Sequence, residues 1–306
     1  MISVCINTRN RKEQLVKCVE RLLNSTYLKY EIIIVDQSDN PHIHNNFKIN
    51  PQIRYFIDKG RGTGRAKNIA LQKASGDLVA FTDDDCLVEK NWLNRIYAVF
   101  REHPDVAGLF GRVLAFQSEK HKGFYCPCTV NWTSRKFIKQ PCKHWECLGY
   151  GNNMTFRKSE LEKVNGFRNW LGPGSVGRNA DDAEIALRLL VNNNKLMYDP
   201  SVKVWHNRWL TKEELERQNF SYICGETSCY GYFAFQGYDF AMQVIKNNIN
   251  DSIKELAKII KSVVMLRLNE QFLSSVSVAV KNIYYRIRGL IIAFWFSLTD
   301  PIQLQK

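Results

Sequence analysis

Asp77-Leu78-Val79-Ala80-Phe81-Thr82-Asp83-Asp84-Asp85 is the stretch on which the fold turns. The apolar run from Leu78 reads as a buried strand, and three consecutive aspartates stand where that strand should end. Carboxylates packed this closely repel one another unless a cation neutralises them. Hard oxygen ligands of this kind suit Mg²⁺ or Mn²⁺, with positions left for water and phosphate. The plainer alternative is an exposed acidic turn or a helix N-cap, because aspartate favours both.

Working back toward the N-terminus, strand-like and helix-like stretches alternate. Residues 2–7 read as a strand, Lys12 to Asn24 carries apolar positions at helical spacing, and Glu31 to Val35 reads as a fully buried strand with a loop opening at Asp36. Arg54 to Ile57 is a short third strand and Gly64 to Ala74 a helix. This order predicts an α/β fold with a mostly parallel central sheet flanked by helices. In such sheets ligands bind beyond the carboxyl ends of the strands, where Thr8, Asp36 and Asp83 to Asp85 all fall. Convergence of three loops favours a metal and nucleotide site over a solvated acidic turn. Gly60-Arg61-Gly62-Thr63-Gly64-Arg65 precedes a helix whose free N–H groups favour phosphate. Its spacing is not a dinucleotide fingerprint, and it lacks the Lys-Ser/Thr of a phosphate-binding loop.

Toward the C-terminus the pattern changes twice. Gly108 to His206 reads as mixed short strands, with turns at Gly149 to Met154 and at Gly172-Pro173-Gly174, and the chain after His206 reads as helical. Ser252 to Leu298 mixes apolar positions with Lys254, Lys258, Lys261, Arg267, Lys281, Arg286 and Arg288, a basic amphipathic surface. The run Gly289 to Leu298 is too short to span a bilayer. It suits an interfacial helix on anionic lipid, with a core helix or a dimer contact as alternatives.

The chain has 306 residues, 45% of them hydrophobic, which excludes disorder and allows a full core. A formal charge of +13 predicts an acidic partner: nucleic acid, an anionic membrane surface or a phosphorylated small molecule. Nucleic acid is disfavoured, since the basic residues are dispersed and acids cluster at the expected cleft mouth. With no leader before Ile2, the expected location is cytoplasmic, with a peripheral position at the inner face of the membrane as an option. Nine cysteines, an odd number, argue against a disulfide framework and for reduced thiols. Cys126, Cys128, Cys142 and Cys147, with His121 and His144 near, are numerous enough for zinc, but their spacing matches no paired arrangement.

Downstream lies a second acidic group, Arg178-Asn179-Ala180-Asp181-Asp182-Ala183-Glu184, in a loop that runs into an amphipathic helix. Acids at a helix start are stabilised by the macrodipole, so capping is one reading. General-base catalysis against a metal-bound phosphate site is the other.

In sequence order these pieces resemble glycosyltransferase family 2, whose catalytic domain has the GT-A fold of nucleotide-sugar-dependent enzymes. The resemblance runs through Ser3-Val4-Cys5-Ile6-Asn7-Thr8-Arg9-Asn10-Arg11, Glu31 to Asp39, Gly64-Arg65-Ala66-Lys67-Asn68 and Ser75-Gly76-Asp77 into the three aspartates. It continues through Gly151 to Arg157, Gly166-Phe167, Asp181-Asp182 and Trp205-His206. It covers residues 1–210 as a catalytic domain and leaves 211–306 as a helical C-terminal extension, a membrane-surface or dimer contact.

The resemblance implies an inverting, metal-dependent hexosyltransferase that takes a single sugar from a nucleoside-diphosphate sugar, UDP-sugars favoured. The acceptor would be a hydroxyl of a glycan, polysaccharide precursor or lipid-linked sugar. It implies that Thr8, Asn10, Asp36, Arg65, Lys67, Asp83 and Asp84 line the nucleotide-sugar pocket, with Lys67 replacing the family's usual Arg. Asp83, Asp85 and His206 would hold Mn²⁺ or Mg²⁺, and Asp84 would fill the variable, more replaceable position. Asp182 would be the base and Asp181, where Glu is commoner, its catalytic neighbour. The Gln-x-x-Arg-Trp motif of processive synthases is missing, because Trp205 stands where its Gln would be. A non-catalytic nucleotide-sugar-binding protein and a sugar nucleotidyltransferase are the alternatives.

Overall fold

β1 (Ile2–Thr8), β2 (Tyr30–Asp36), β3 (Ile53–Ile57) and β4 (Leu78–Asp83) lie parallel in the order β3-β2-β1-β4. A computed structural model of the chain describes residues 1–302 apart from 42–46, 48, 143 and 266–269. The side chain of His144, and Arg267, both named above, fall outside the described set. β1, β2 and β4 are buried on both faces, which is why each carries an apolar run, Val4 to Ile6, Ile32 to Val35 and Leu78 to Phe81. β3 is the edge strand and exposes Ile57. Helix α1 (Lys12–Leu23) buries Leu15, Cys18, Val19 and Leu22 at helical spacing. Helix α2 (Thr63–Lys73) buries Gly64, Ala66, Lys67, Ala70 and Leu71. The register sets Thr8 opposite Asp36 across β1 and β2, and Asn7 opposite Asp83 across β1 and β4.

The sheet then becomes mixed. It continues through β5 (Cys86–Val88), β6 (Val106–Ala115), β7 (Lys136–Ile138), β8 (Asn153–Arg157) and β9 (Lys195–His206). β8 pairs antiparallel with both β4 and β6, β6 runs parallel to β9, and β5 and β7 flank β9 antiparallel. The expectation of short strands here needs correction, since β6 has 10 residues and β9 has 12. The strands pass Gly108, Gly111 and Pro200 with register shifts at Val106/Gly108 and Gly111/Arg112. Gly111 permits close backbone approach: a Cβ there would collide with the Val202 carbonyl and the Asn153 side chain. Between these strands lie α3 (Trp92–Glu102), α4 (His144–Cys147), α5 (Lys158–Lys163) and α6 (Asp181–Val191).

The chain separates into two compact units, Met1–Ser175 with Asp181–Leu215, and Val176–Ala180 with Glu216–Gln303. Three long helices dominate the second region: α7 (Lys212–Phe235), α8 (Asp239–Val264) and α9 (Glu270–Thr299). Cys224, Cys229, Tyr230, Tyr232 and Phe233 of α7 are buried, and Gly289 of α9 comes so close to α7 that a Cβ would meet the Cys224 carbonyl at 2.8 Å. The face between α8 and α9 is polar: Arg286 donates to Ser252 Oγ at 2.7 Å and to the Asn248 carbonyl, and Asn282 donates to Glu255 at 3.3 Å. Within the run Gly289 to Leu298, Gly289, Ile292 and Ala293 are buried while Ile291, Phe294, Trp295 and Leu298 are exposed. Among the described residues, no helix is long and apolar enough to cross a membrane.

Candidate active site

The carboxyl ends of β1, β2 and β4 place Thr8, Asp36 and Asp83 side by side. Thr8 Oγ1 donates to Asp84 Oδ2 at 2.7 Å. Arg11, one residue before α1, donates to Asp84 Oδ1 at 3.0 Å and to Asp85 Oδ2 at 2.8 Å. Burial and the neighbouring Asp85 push the Asp84 carboxyl up to about 7 against the pull of Arg11 and Thr8. Asp84, which the family resemblance puts in the variable position of the triplet, is buried and ties β1 to the aspartate turn. Asp36 is also buried, accepting from the Ser38 N–H at 2.8 Å and from the Tyr55 hydroxyl. Asn10, in a left-handed conformation with φ 57°, donates to Asp39 at 2.8 Å and accepts the Asp39 N–H at 3.1 Å. That reciprocal pair joins the loops after β1 and β2.

β5 and β9 bring Asp85 and His206 together, because Cys86 pairs with His206 in register. His206 Nδ1 lies 2.7 Å from the Pro127 carbonyl oxygen, and Nε2 lies 3.2 Å from Asp85 Oδ1. The second approach is close but not aligned as a hydrogen bond, and Asp85 Oδ1 is buried without a hydrogen-bond partner. Burial lowers the His206 pKa, but Asp85 and Cys126 outweigh it and hold the imidazole up to about 10. Burial raises Asp85, yet His206 and Arg11 outweigh it and bring the carboxyl down to about 2.

Among the described residues, the group whose ligand atoms lie within 4.8 Å of one another is Asp85, Cys86 and His206. Burial pushes the Cys86 thiol well above its ordinary range, so it is a protonated thiol beside a carboxylate and an imidazole. Asp85 Oδ1, ion-paired with His206 but without an aligned hydrogen bond, lies beside an imidazole whose other nitrogen is fixed by a backbone carbonyl; with the Nε2 proton released, the pair fits a hard divalent cation. Asp83 is not in that group; burial and then Asp85 raise its carboxyl.

The second acidic group meets the first through Lys67. Its Nζ donates to Asp181 Oδ2 at 2.6 Å and lies 5.4 Å from the Phe167 ring centroid. Burial opposes the ammonium, but Asp181, Asp83 and Asp182 outweigh it and keep Lys67 charged. Asp182 Oδ2 accepts the Gly151 N–H at 2.7 Å and its Oδ1 accepts the Ala183 N–H at 2.8 Å. The helix-start acid therefore does cap α6, with half of its carboxylate held by the loop before β8. Arg65 forms a fork on Asp58, with contacts of 3.0 Å from both Nε and Nη2, and Asp58 also accepts from Gln37 at 2.9 Å.

The sequence profile of glycosyl transferase family 2 matches residues 3–164. The chain belongs to this family. A curated relative, the glucosyl-dolichyl phosphate glucuronosyltransferase of Haloferax volcanii, is 22% identical over 223 residues, 70% of this chain and 71% of that protein. Glycosyltransferase GlyG of Streptococcus pneumoniae is 32% identical over 107 residues, a third of this chain (33%) and 36% of its own length. Among solved structures, the mannosyltransferase PcManGT of Pyrobaculum calidifontis, in complex with GDP-Man and Mn²⁺, matches with a TM-score of 0.56 at 14% identity. That match covers 96% of this chain and 87% of the other. S. aureus TarS 1–349 in complex with UDP matches with a TM-score of 0.53 at 15% identity, covering 100% and 97%. The fold is GT-A, with C-terminal helices added.

Three residues of this glycosyltransferase escaped the sequence reading. Arg11 lies inside the resembling N-terminal stretch, but only the fold shows that it meets two aspartates. Asp58 follows β3 as Asp36 follows β2, so the strand-end rule could have found it. Tyr55 alternates within β3 and gave no polar signal. The expectation of reduced thiols needs correction too: Cys142 and Cys147 are joined as a disulfide. Two cysteines five apart in a loop carry no pattern that reveals this. Cys126 instead donates toward the His206 carbonyl at 3.4 Å, and His121 stacks on Trp209 with centroids 4.2 Å apart; among the described residues these candidates do not form a metal-ligand group.

Proposed function

We propose that this family 2 glycosyltransferase transfers one sugar from a nucleoside-diphosphate sugar to a hydroxyl acceptor, with inversion and with a divalent cation, Mn²⁺ or Mg²⁺. The observation that carries the reading is the buried Asp85 Oδ1, 3.2 Å from His206 Nε2 and without an aligned hydrogen bond, at the mouth of the parallel strands. Asp85 and His206 would hold the cation, with Asp83 beside them, and it would neutralise charge developing on the leaving diphosphate. The complexes of the structural neighbours, GDP-Man with Mn²⁺ in one and UDP in the other, support a nucleotide-sugar donor.

Thr8, Asn10 and Asp36 would face the nucleoside. Lys67 would keep positive charge between the two acidic groups, and Arg65, locked on Asp58, would add to it from the glycine-rich loop. Asp182 would accept the proton of the acceptor hydroxyl. As that oxygen bonds to the anomeric carbon from one face, the bond to the diphosphate breaks on the other, so the configuration inverts. The base contributes roughly 10²- to 10⁴-fold and electrostatic stabilisation of the leaving group usually more. The dolichyl phosphate substrate in the archaeal relative's name supports testing a lipid-linked acceptor beside free glycans.

The test is a panel of UDP-, GDP- and dTDP-sugars incubated with Mn²⁺ or Mg²⁺ and an acceptor. Metal-dependent release of nucleoside diphosphate with a glycosylated product supports transfer. Pyrophosphate exchange would instead mark a nucleotidyltransferase, and donor binding without turnover a scaffold.

A further inference from the structure

α8 and α9 are built inside out relative to ordinary helices of a soluble core. The face they share includes the hydrogen-bonded polar residues Asn248, Ser252, Glu255, Asn282 and Arg286. Their outward faces are apolar instead. On α8, Ile249, Ile253, Leu256, Ile260 and Val263 recur every three or four residues and are all exposed, Ile260 to 63%. On α9, Val280, Tyr284, Ile287, Ile291, Phe294 and Leu298 do the same, Ile291 to 65%. Exposed apolar stripes of this extent mark an interaction surface.

Charge selects the occupant. α8 and α9 together carry seven basic residues against four acids, Asp239, Asp251, Glu255 and Glu270, and Glu255 is turned onto Asn282. A second copy would bring the same excess of positive charge to the contact. An anionic lipid surface brings the opposite sign, and the exposed Trp295, Phe294 and Tyr284 are the side chains favoured at a bilayer interface. We propose that the outward stripes of α8 and α9 lie in the headgroup region of an anionic bilayer, with Lys246 and Lys261, which flank the α8 stripe, reaching the lipid phosphates. The helices lie on the membrane and do not cross it. The inference does not depend on the reaction assigned above.

Co-sedimentation of the full chain with vesicles tests it. Binding is expected to phosphatidylcholine vesicles containing phosphatidylglycerol, to weaken with salt, and to be much weaker on phosphatidylcholine alone. Lys246→Gln and Lys261→Gln should each weaken binding to the anionic vesicles roughly fivefold. Ile287→Glu with Ile291→Glu should abolish it while the melting temperature holds. As a readout on the unaltered surface, a blue shift of tryptophan emission on vesicle addition should shrink in Trp295→Phe. Equal binding to both vesicle types, or no emission change, would overturn the proposal. So would a dimer in sedimentation velocity that the two glutamates dissociate, which would assign the stripes to a second copy.

Discussion

Lys67 Nζ lies 2.6 Å from Asp181 Oδ2, and each side chain is 6% exposed. These are the two positions at which the chain carries Lys where family 2 usually has Arg and Asp where Glu is commoner, so the two departures are partners in one buried pair. Removing one partner leaves the other charge desolvated and uncompensated, at a cost of about 3–5 kcal/mol. Lys67→Met should lower the unfolding free energy by that amount, and Lys67→Met with Asp181→Leu should recover most of the loss without restoring sugar transfer. Urea denaturation of the three proteins measures it. A double variant no more stable than the single one would show that the pair is not the cause.

Asp182→Asn keeps an oxygen to accept the Gly151 N–H, so the loop before β8 should hold its place. Turnover should fall about 10²- to 10⁴-fold while donor-induced thermal stabilisation is unchanged. Undiminished turnover would remove Asp182 from the role of base.

Asp85→Ala and His206→Ala each delete one half of the group that fits a divalent cation. In the unaltered protein, Mn²⁺ at a hundredfold excess over its Kd should stabilise the folded state by about 2.7 kcal/mol. Both variants should lose that increment in a thermal melt. Retention of the full Mn²⁺ effect in either would place the cation elsewhere.

The Asp58 carboxyl is brought from an ordinary 3.8 down to about 2 by the Arg65 fork, against its own burial and helped by Gln37 and the Gly60 N–H. Because the folded-state pKa is the lower one, the resulting stability is fully present above about pH 4 and is lost as the pH falls toward 2. Arg65 is half exposed, so screening keeps the effect modest. Asp58→Asn should flatten this acid limb of the stability curve in chemical denaturation series from pH 5 to pH 2.

The parallel half of the sheet was legible because β1, β2 and β4 are buried on both faces and carry apolar runs, each strand ending in a polar residue at the carboxyl edge. Asp36, the aspartate triplet, Asp182 and His206 could all be picked out on that basis or through the family resemblance. Side-chain pairing was not legible. Nothing in the spacing of Arg11 and Asp84, or of Lys67 and Asp181, indicates that tertiary packing brings them into contact. The contacts of Asp84 with Thr8 and Arg11 were not legible for the same reason. The length of β6 and β9 was not legible either, since both strands continue through register shifts at Gly108 and Gly111.

Thr8 faces Asp36 and Asn7 faces Asp83 across ladders whose side chains alternate with a period of two. Slipping either ladder by one residue would turn every side chain of that strand to the opposite face, burying polar groups in the core. Placement errors at this site are therefore quantised. Substitutions within Ile32 to Val35 or Leu78 to Phe81 that preserve the apolar pattern should leave the acids on the same row, and those that break it should cost the fold before they blur the site.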